Sequence, residues 1–112
     1  MNEERALRVA DADLPAEGAL IALEIAGEPV VLARRGGKLF AIDGICPHAG
    51  AMLGDGELDG DEVVCPYHGW GFHLGTGVCR QVPTLCAPPQ TVETVDGGVV
   101  VRLSLAGPPR RG

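Results

Sequence analysis

Between residues 5 and 43 the chain alternates short apolar runs with brief polar or glycine-bearing breaks. Residues 5–10 (Arg5 to Ala10) read as a first strand, followed by a connection containing Asp and Pro. Gly18 to Ile25 and Pro29 to Arg35 are β-rich runs, and Gly27-Glu28 between them is a hairpin signal. Gly36-Gly37 marks a second turn. It leads into Lys38-Leu39-Phe40-Ala41-Ile42, where Leu39 and Phe40 flank an expected tight bend. Three strands meeting at two-residue turns predict an antiparallel meander. From Gly44 to Gly77 the character changes: Gly and Asp are dense and the apolar runs are very short. Glu62-Val63-Val64 is one such strand and ends directly on Cys65. Trp70 to Leu74 is another, closed by Gly75-Thr76-Gly77. Longer runs return at Gln90 to Val95 and Gly98 to Leu103, with Asp96-Gly97-Gly98 as the turn. No repeat, amphipathic helix of useful length or linker interrupts this order. The pattern predicts an all-β domain over 1–112. Its framework is 1–43 and 78–106, with an inserted subdomain 44–77 and a poorly ordered tail 107–112.

Composition narrows the picture in two ways. At 112 residues there is room for one domain and a modest core, and 17 Gly with 9 Pro suit short strands joined by many turns. A net charge of −6 argues against nucleic acid or anionic membrane and favours a partner with a basic docking face. Met1-Asn2-Glu3-Glu4-Arg5 is not a basic region followed by an apolar one. The most apolar run, Ala19 to Ala26, is too short to span a bilayer and carries Glu24. A cytoplasmic location is expected, where four Cys are better read as ligands or thiols than as a disulfide framework.

The chemistry lies in Cys46-Pro47-His48-Ala49-Gly50 and Cys65-Pro66-Tyr67-His68-Gly69-Trp70. Two thiolates and two imidazoles are a full ligand set for a small metal centre. Zinc accepts Cys2His2 in a tetrahedral site, and a Rieske [2Fe-2S] cluster takes two Cys on one iron and two His on the other. In a zinc finger the Cys usually share one half of the motif and the His the other. Here each half contributes one Cys and one His, so each iron could draw a ligand from each loop. The single residue between Cys46 and His48 also lies below the usual zinc spacing.

This arrangement resembles the Rieske signature, C-x-H followed by C-x2-H, including the Pro after each Cys and the Gly beyond each His. The framework hairpins, the segment Phe72-His73-Leu74-Gly75-Thr76-Gly77 and the closing hairpin extend the likeness. They are similar to the small Rieske ferredoxins of ring-hydroxylating oxygenase systems, and also to the small subunit of NAD(P)H-dependent nitrite reductase. The resemblance implies an antiparallel β-sandwich with one [2Fe-2S] cluster at an exposed end. Cys46, His48, Cys65 and His68 would bind the metal. Backbone N–H groups near Gly50 and Gly69 would face the cluster sulfurs, Leu53 would shield the site, and Trp70 would pack beneath the loops or anchor a partner. Pro83 would belong to a covering third loop. The family's high-potential members carry hydroxyls where Trp70 and Phe72 stand, and a loop-tying disulfide where Ala51 and Tyr67 stand. Their replacement implies a low potential.

The function implied is a monomeric carrier passing single electrons from a flavin-containing NAD(P)H reductase to a terminal oxygenase. A nitrite reductase subunit is the second reading and a structural zinc module the third. Catalysis by these residues alone is not expected: beyond His48 and His68 only His73 remains, too few for a two-His, one-carboxylate iron site. His73 reads as a surface residue, Cys79 and Cys86 as ordinary thiols, and the acids Asp55, Glu57, Asp59, Asp61 and Glu62 as a solvated hairpin.

Overall fold

The computed structural model describes residues 5–48 and 50–103, so the tail expected over 107–112 lies outside the described residues. Nine strands form among the described residues: β1 (Ala6–Ala10), β2 (Leu20–Ile25), β3 (Glu28–Arg35), β4 (Lys38–Asp43), β5 (Glu57–Asp59), β6 (Glu62–Val64), β7 (Gly71–His73), β8 (Pro89–Val95) and β9 (Gly98–Arg102). Six of them make one antiparallel sheet in the order β1-β9-β8-β4-β3-β2, and β5-β6-β7 make a second, smaller one. The expected all-β antiparallel fold is what the chain adopts.

The meander β2-β3-β4 forms because its turns demand little. Gly36 and Gly37 both sit at positive φ (64° and 78°), as a two-residue turn that follows the twist of the strands requires. The first turn is displaced by one residue from its glycine signal: it is Ala26-Gly27, with Ala26 at φ 51°, and Glu28 already pairs with Ile25. An alanine in the left-handed region costs about 1 kcal/mol or more, which the flanking strand pairing offsets. β4 runs unbroken from Lys38 to Asp43 against β3, so the bend expected at Leu39-Phe40 does not occur. Lys38 and Phe40 pair regularly with Arg35 and Ala33, and that register holds the strand straight.

β3 shows why the core has two parts. Its residues Val30 to Ala33 are all buried, on both faces, which explains a continuous apolar run where alternation would otherwise stand. Val30 and Leu32 join Val9, Ile25, Ala41, Val99 and Val101 inside the large sheet. Val31 and Ala33, with Ile42 of β4, face the other way, into a cluster containing Leu53, Val63, Phe72, Leu74, Cys46 and Cys65. The small sheet and the two Cys loops are therefore fastened to the back of the β3-β4 hairpin. β4 meets β8 at only two pairs, Ala41↔Gln90 and Ile42↔Pro89, so the sheet is nearly interrupted there.

Residues 78–87 depart from the expected division. The sequence pattern places them in the framework, whereas Cys79 forms a β-bridge with Phe72 and Val78 with Cys86, and Arg80 N–H donates to the Gly71 carbonyl at 2.8 Å. Cys79 and Ala87 are fully buried in the second core. The segment belongs with the small sheet, because Phe72 and Leu74 leave an apolar face that it covers. β5 carries no strand signal of its own: Leu58 is the lone apolar residue between Glu57 and Asp59, and it is pairing with β6 that makes it a strand.

Candidate metal centre

Both Cys-His half-motifs sit on loops built the same way. Cys46 N–H donates to the Ala51 carbonyl (2.8 Å) and Gly50 N–H to the Cys46 carbonyl (2.8 Å). Cys65 N–H donates to the Trp70 carbonyl (2.8 Å) and Gly69 N–H to the Cys65 carbonyl (3.1 Å). Each loop is thus closed from the fourth and fifth residues after its Cys. Gly50 (φ 70°) and Gly69 (φ 73°) take matching left-handed conformations at the closing position. Their amides are occupied in closing the loops, so these glycines shape the site and do not themselves supply the N–H groups expected to face sulfur.

Repetition of one loop places four donors in an ordered way. Cys46 and Cys65 are 0% and 2% exposed, inside the apolar cluster that joins the two sheets. His48 and His68 are exposed, with ring centroids 5.0 Å apart. Sulfur lies inward and nitrogen outward, one of each from each loop. Among the described residues no three His, Cys, Asp or Glu side chains converge on a single ion. A tetrahedral zinc needs all four donors about 2.0–2.3 Å from one point, whereas a two-iron centre divides them between two points. The donors present fit a centre with two buried thiolates on one metal and two solvent-facing imidazoles on the other. None of the four cysteines is in a disulfide.

Trp70 lies against the first loop. Its ring stacks on His48 with centroids 3.8 Å apart and an interplanar angle of 19°, while its other contacts are with the buried cluster. The indole therefore backs the His48 imidazole. Leu53 is fully buried among the same residues as Cys46 and Cys65, held by its N–H to the Gly44 carbonyl (2.8 Å). Pro83 is at the exposed corner of a turn closed by Leu85 N–H to the Val82 carbonyl (2.9 Å). Val82 and Leu85 on either side pack against the core.

The remaining chemistry-bearing residues are accounted for locally. His73 Nδ1 accepts from the N–H groups of Gly75 (3.0 Å) and Thr76 (3.3 Å). Cys86 donates to the Thr76 carbonyl (3.5 Å), and burial pushes its thiol pKa up. Asp61 pairs with Arg35 and Glu62 with Arg80. Sequence reading missed the exposure of Tyr67, within the second loop, and of Met52, next to the first, at 70% and 44%. Exposure of an apolar side chain leaves no mark in the sequence.

The profile of the Rieske [2Fe-2S] domain matches residues 5–96. The ferredoxin CarAc of Metapseudomonas resinovorans is 35% identical over 80 residues, covering 69% of this chain and 73% of that protein. The oxygenase component of 3-ketosteroid-9-alpha-monooxygenase from Mycobacterium tuberculosis is 40% identical over 76 residues, 68% of this chain. The chain spans only 19% of that relative. Among solved structures, one in the complex of reduced oxygenase and oxidized ferredoxin of carbazole 1,9a-dioxygenase has a TM-score of 0.79 at 31% identity. It covers 91% of this chain and 98% of that one. A chain from Mycobacterium tuberculosis assigned as an NADH-dependent nitrite reductase small subunit shares the fold, with a TM-score of 0.77 at 22% identity. It covers 89% of this chain and 96% of its own.

Proposed function

The chain belongs to the Rieske [2Fe-2S] domain family, and from that premise we propose that it is a one-electron carrier. It would take electrons from a flavin-containing NAD(P)H reductase and deliver them to a terminal oxygenase, acting as a monomer in the cytoplasm. The observation that carries this reading is the graded donor set, two buried Cys and two exposed His drawn crosswise from twin loops. Cys46, Cys65, His48 and His68 would hold one [2Fe-2S] cluster, which supplies a site that gains and loses a single electron.

The chain's own residues do the rest. Burial of the two Cys among apolar side chains excludes water from the sulfur side. Pro47 and Pro66 restrict the loops that carry them, which reduces movement on a change of charge. The exposed His edges shorten the distance to a docked partner. An open groove beside the second loop, lined by Asp55, Glu57, Val64, Cys65, Pro66 and Gly69, sets two carboxylates beside that loop and suits a partner with basic residues. With His48 and His68 committed to the cluster, His73 is the one histidine left in the sequence, too few for a two-His, one-carboxylate iron site, so the chemistry falls to the partner. The ferredoxin CarAc relative matches most of both proteins, whereas the nitrite reductase likeness extends to fold alone. The carrier reading is therefore preferred.

The test is spectroscopic and then kinetic. Anaerobically purified protein should be red-brown and contain two irons and two acid-labile sulfides per chain. When reduced, it should give an EPR signal of lower average g than an all-cysteine cluster. A flavoprotein reductase should reduce it, and it should then support turnover of an oxygenase. A colourless protein holding one zinc would overturn the proposal. Tight copurification with a large sirohaem protein would move it to the nitrite reductase reading.

A further inference from the structure

Gly71 marks the point where the second loop becomes strand β7, one residue beyond Trp70. Both of its backbone groups are held from the covering segment. Its N–H donates to Gln81 Oε1 at 3.0 Å, and its carbonyl accepts the Arg80 N–H at 2.8 Å. The same Gln81 oxygen accepts from the buried Cys79 thiol at 3.7 Å. Residues 78–80 run along the outer side of β7 through the Phe72–Cys79 bridge, and there the outward Gly71 N–H meets a side-chain oxygen in place of a backbone carbonyl. A buried N–H without an acceptor is costly, and the carboxamide takes that place. Residue 71 has no side chain of its own to pack, and one added there would displace the Glu62 carboxylate. Arg80 in turn fixes that carboxylate at 2.9 and 3.0 Å.

What Gln81 holds is connected to the donors. Immediately before Gly71, Trp70 accepts the Cys65 N–H through its carbonyl and backs His48 with its ring. A shift of the Gly71 peptide would therefore move one inner ligand and one outer ligand together. We propose that Gln81 is a positioning residue for the metal centre. Its Oε1 clamps the exit of the second ligand loop to the covering segment and sets the stiffness of both Cys65 and the Trp70–His48 stack. This rests on the carrier reading and adds to it a residue outside the Cys-His motifs.

The experiment compares cluster-loaded wild type with Gln81→Leu, which removes the acceptor, and Gln81→Glu, which retains an acceptor oxygen. Residue-resolved hydrogen exchange should show the Gly71 amide protected in the wild type. Exchange there should be roughly tenfold faster in Gln81→Leu, as the loss of one partly buried hydrogen bond implies. The reduced EPR lines should broaden and the midpoint potential should shift in the same variant, with Gln81→Glu restoring the line width. An unprotected Gly71 amide in the wild type would overturn the proposal even if Gln81→Leu failed to fold. So would unchanged EPR and exchange in Gln81→Leu, or equal disturbance by both variants, which would assign the effect to side-chain packing. A wild type that binds no cluster would sink the carrier reading itself, a separate outcome.

Discussion

Gly77→Ala and Gly69→Ala should differ sharply, although both glycines lie at nearly the same positive φ (74° and 73°). At Gly69 a new Cβ meets nothing within 4 Å. The cost is then the left-handed backbone of an alanine, about 1–2 kcal/mol. At Gly77 the Cβ would overlap the Ala87 carbonyl oxygen and lie 2.8 Å from its carbon. That peptide cannot retreat cheaply, because Ala87 N–H donates back to the Gly77 carbonyl at 2.8 Å and Ala87 is itself fully buried. Overpacking adds about 1–3 kcal/mol to the backbone term, for a total of roughly 2–5 kcal/mol. In a domain of this size 1 kcal/mol moves Tm by about 4–8 °C, so Gly77→Ala should melt at least about 8 °C below wild type. Gly69→Ala, which bears the backbone cost alone, should melt at least about 4 °C above Gly77→Ala. Thermal melts followed by circular dichroism, with the visible absorbance recorded alongside, provide the assay. If Gly77→Ala matched wild type, or were no worse than Gly69→Ala, residues 78–87 would not be seated against β7 as described.

Three further outcomes are expected. Neither Trp70 nor Phe72 offers a hydroxyl to the site, so a potentiometric titration should place the midpoint in the lower part of the roughly −150 to +300 mV Rieske range; a clearly positive value would reject this. Burial raises the Cys86 pKa, so less thiolate is present at neutral pH and maleimide should label it several-fold more slowly than a solvent-exposed thiol. The stability that this residue contributes should be complete below the ordinary thiol range and decline as pH climbs through it. Hydrogen bonds from Gly37 and Gly36 to Glu17, at 2.9 and 2.6 Å, hold its carboxyl below the usual range. Its support for the β3-β4 turn should therefore persist above the ordinary carboxylate pKa and vanish only as pH falls through the lowered one. Amide chemical shifts of Gly36 and Gly37 would report this, and a midpoint at or above the ordinary value would contradict it.

The four donors and their grouping into two half-motifs are local facts, and so the sequence alone determined them. The same holds for the meander, whose strand runs and Gly36-Gly37 turn are defined by neighbours along the chain, and for the spare roles of His73, Cys79 and Cys86. Tertiary structure decided what depends on distant partners. It placed sulfur inward and nitrogen outward, because Cys46 and Cys65 fall on the face of β3 and β4 opposite the main core. It turned Glu57-Leu58-Asp59 into a strand by pairing, and moved 78–87 to the small sheet to cover Phe72. It laid Trp70 on His48 and Gln81 on Gly71. Periodicity reports which face of an element is apolar; which other element will bury that face is settled only when residues far apart in the chain compete for it.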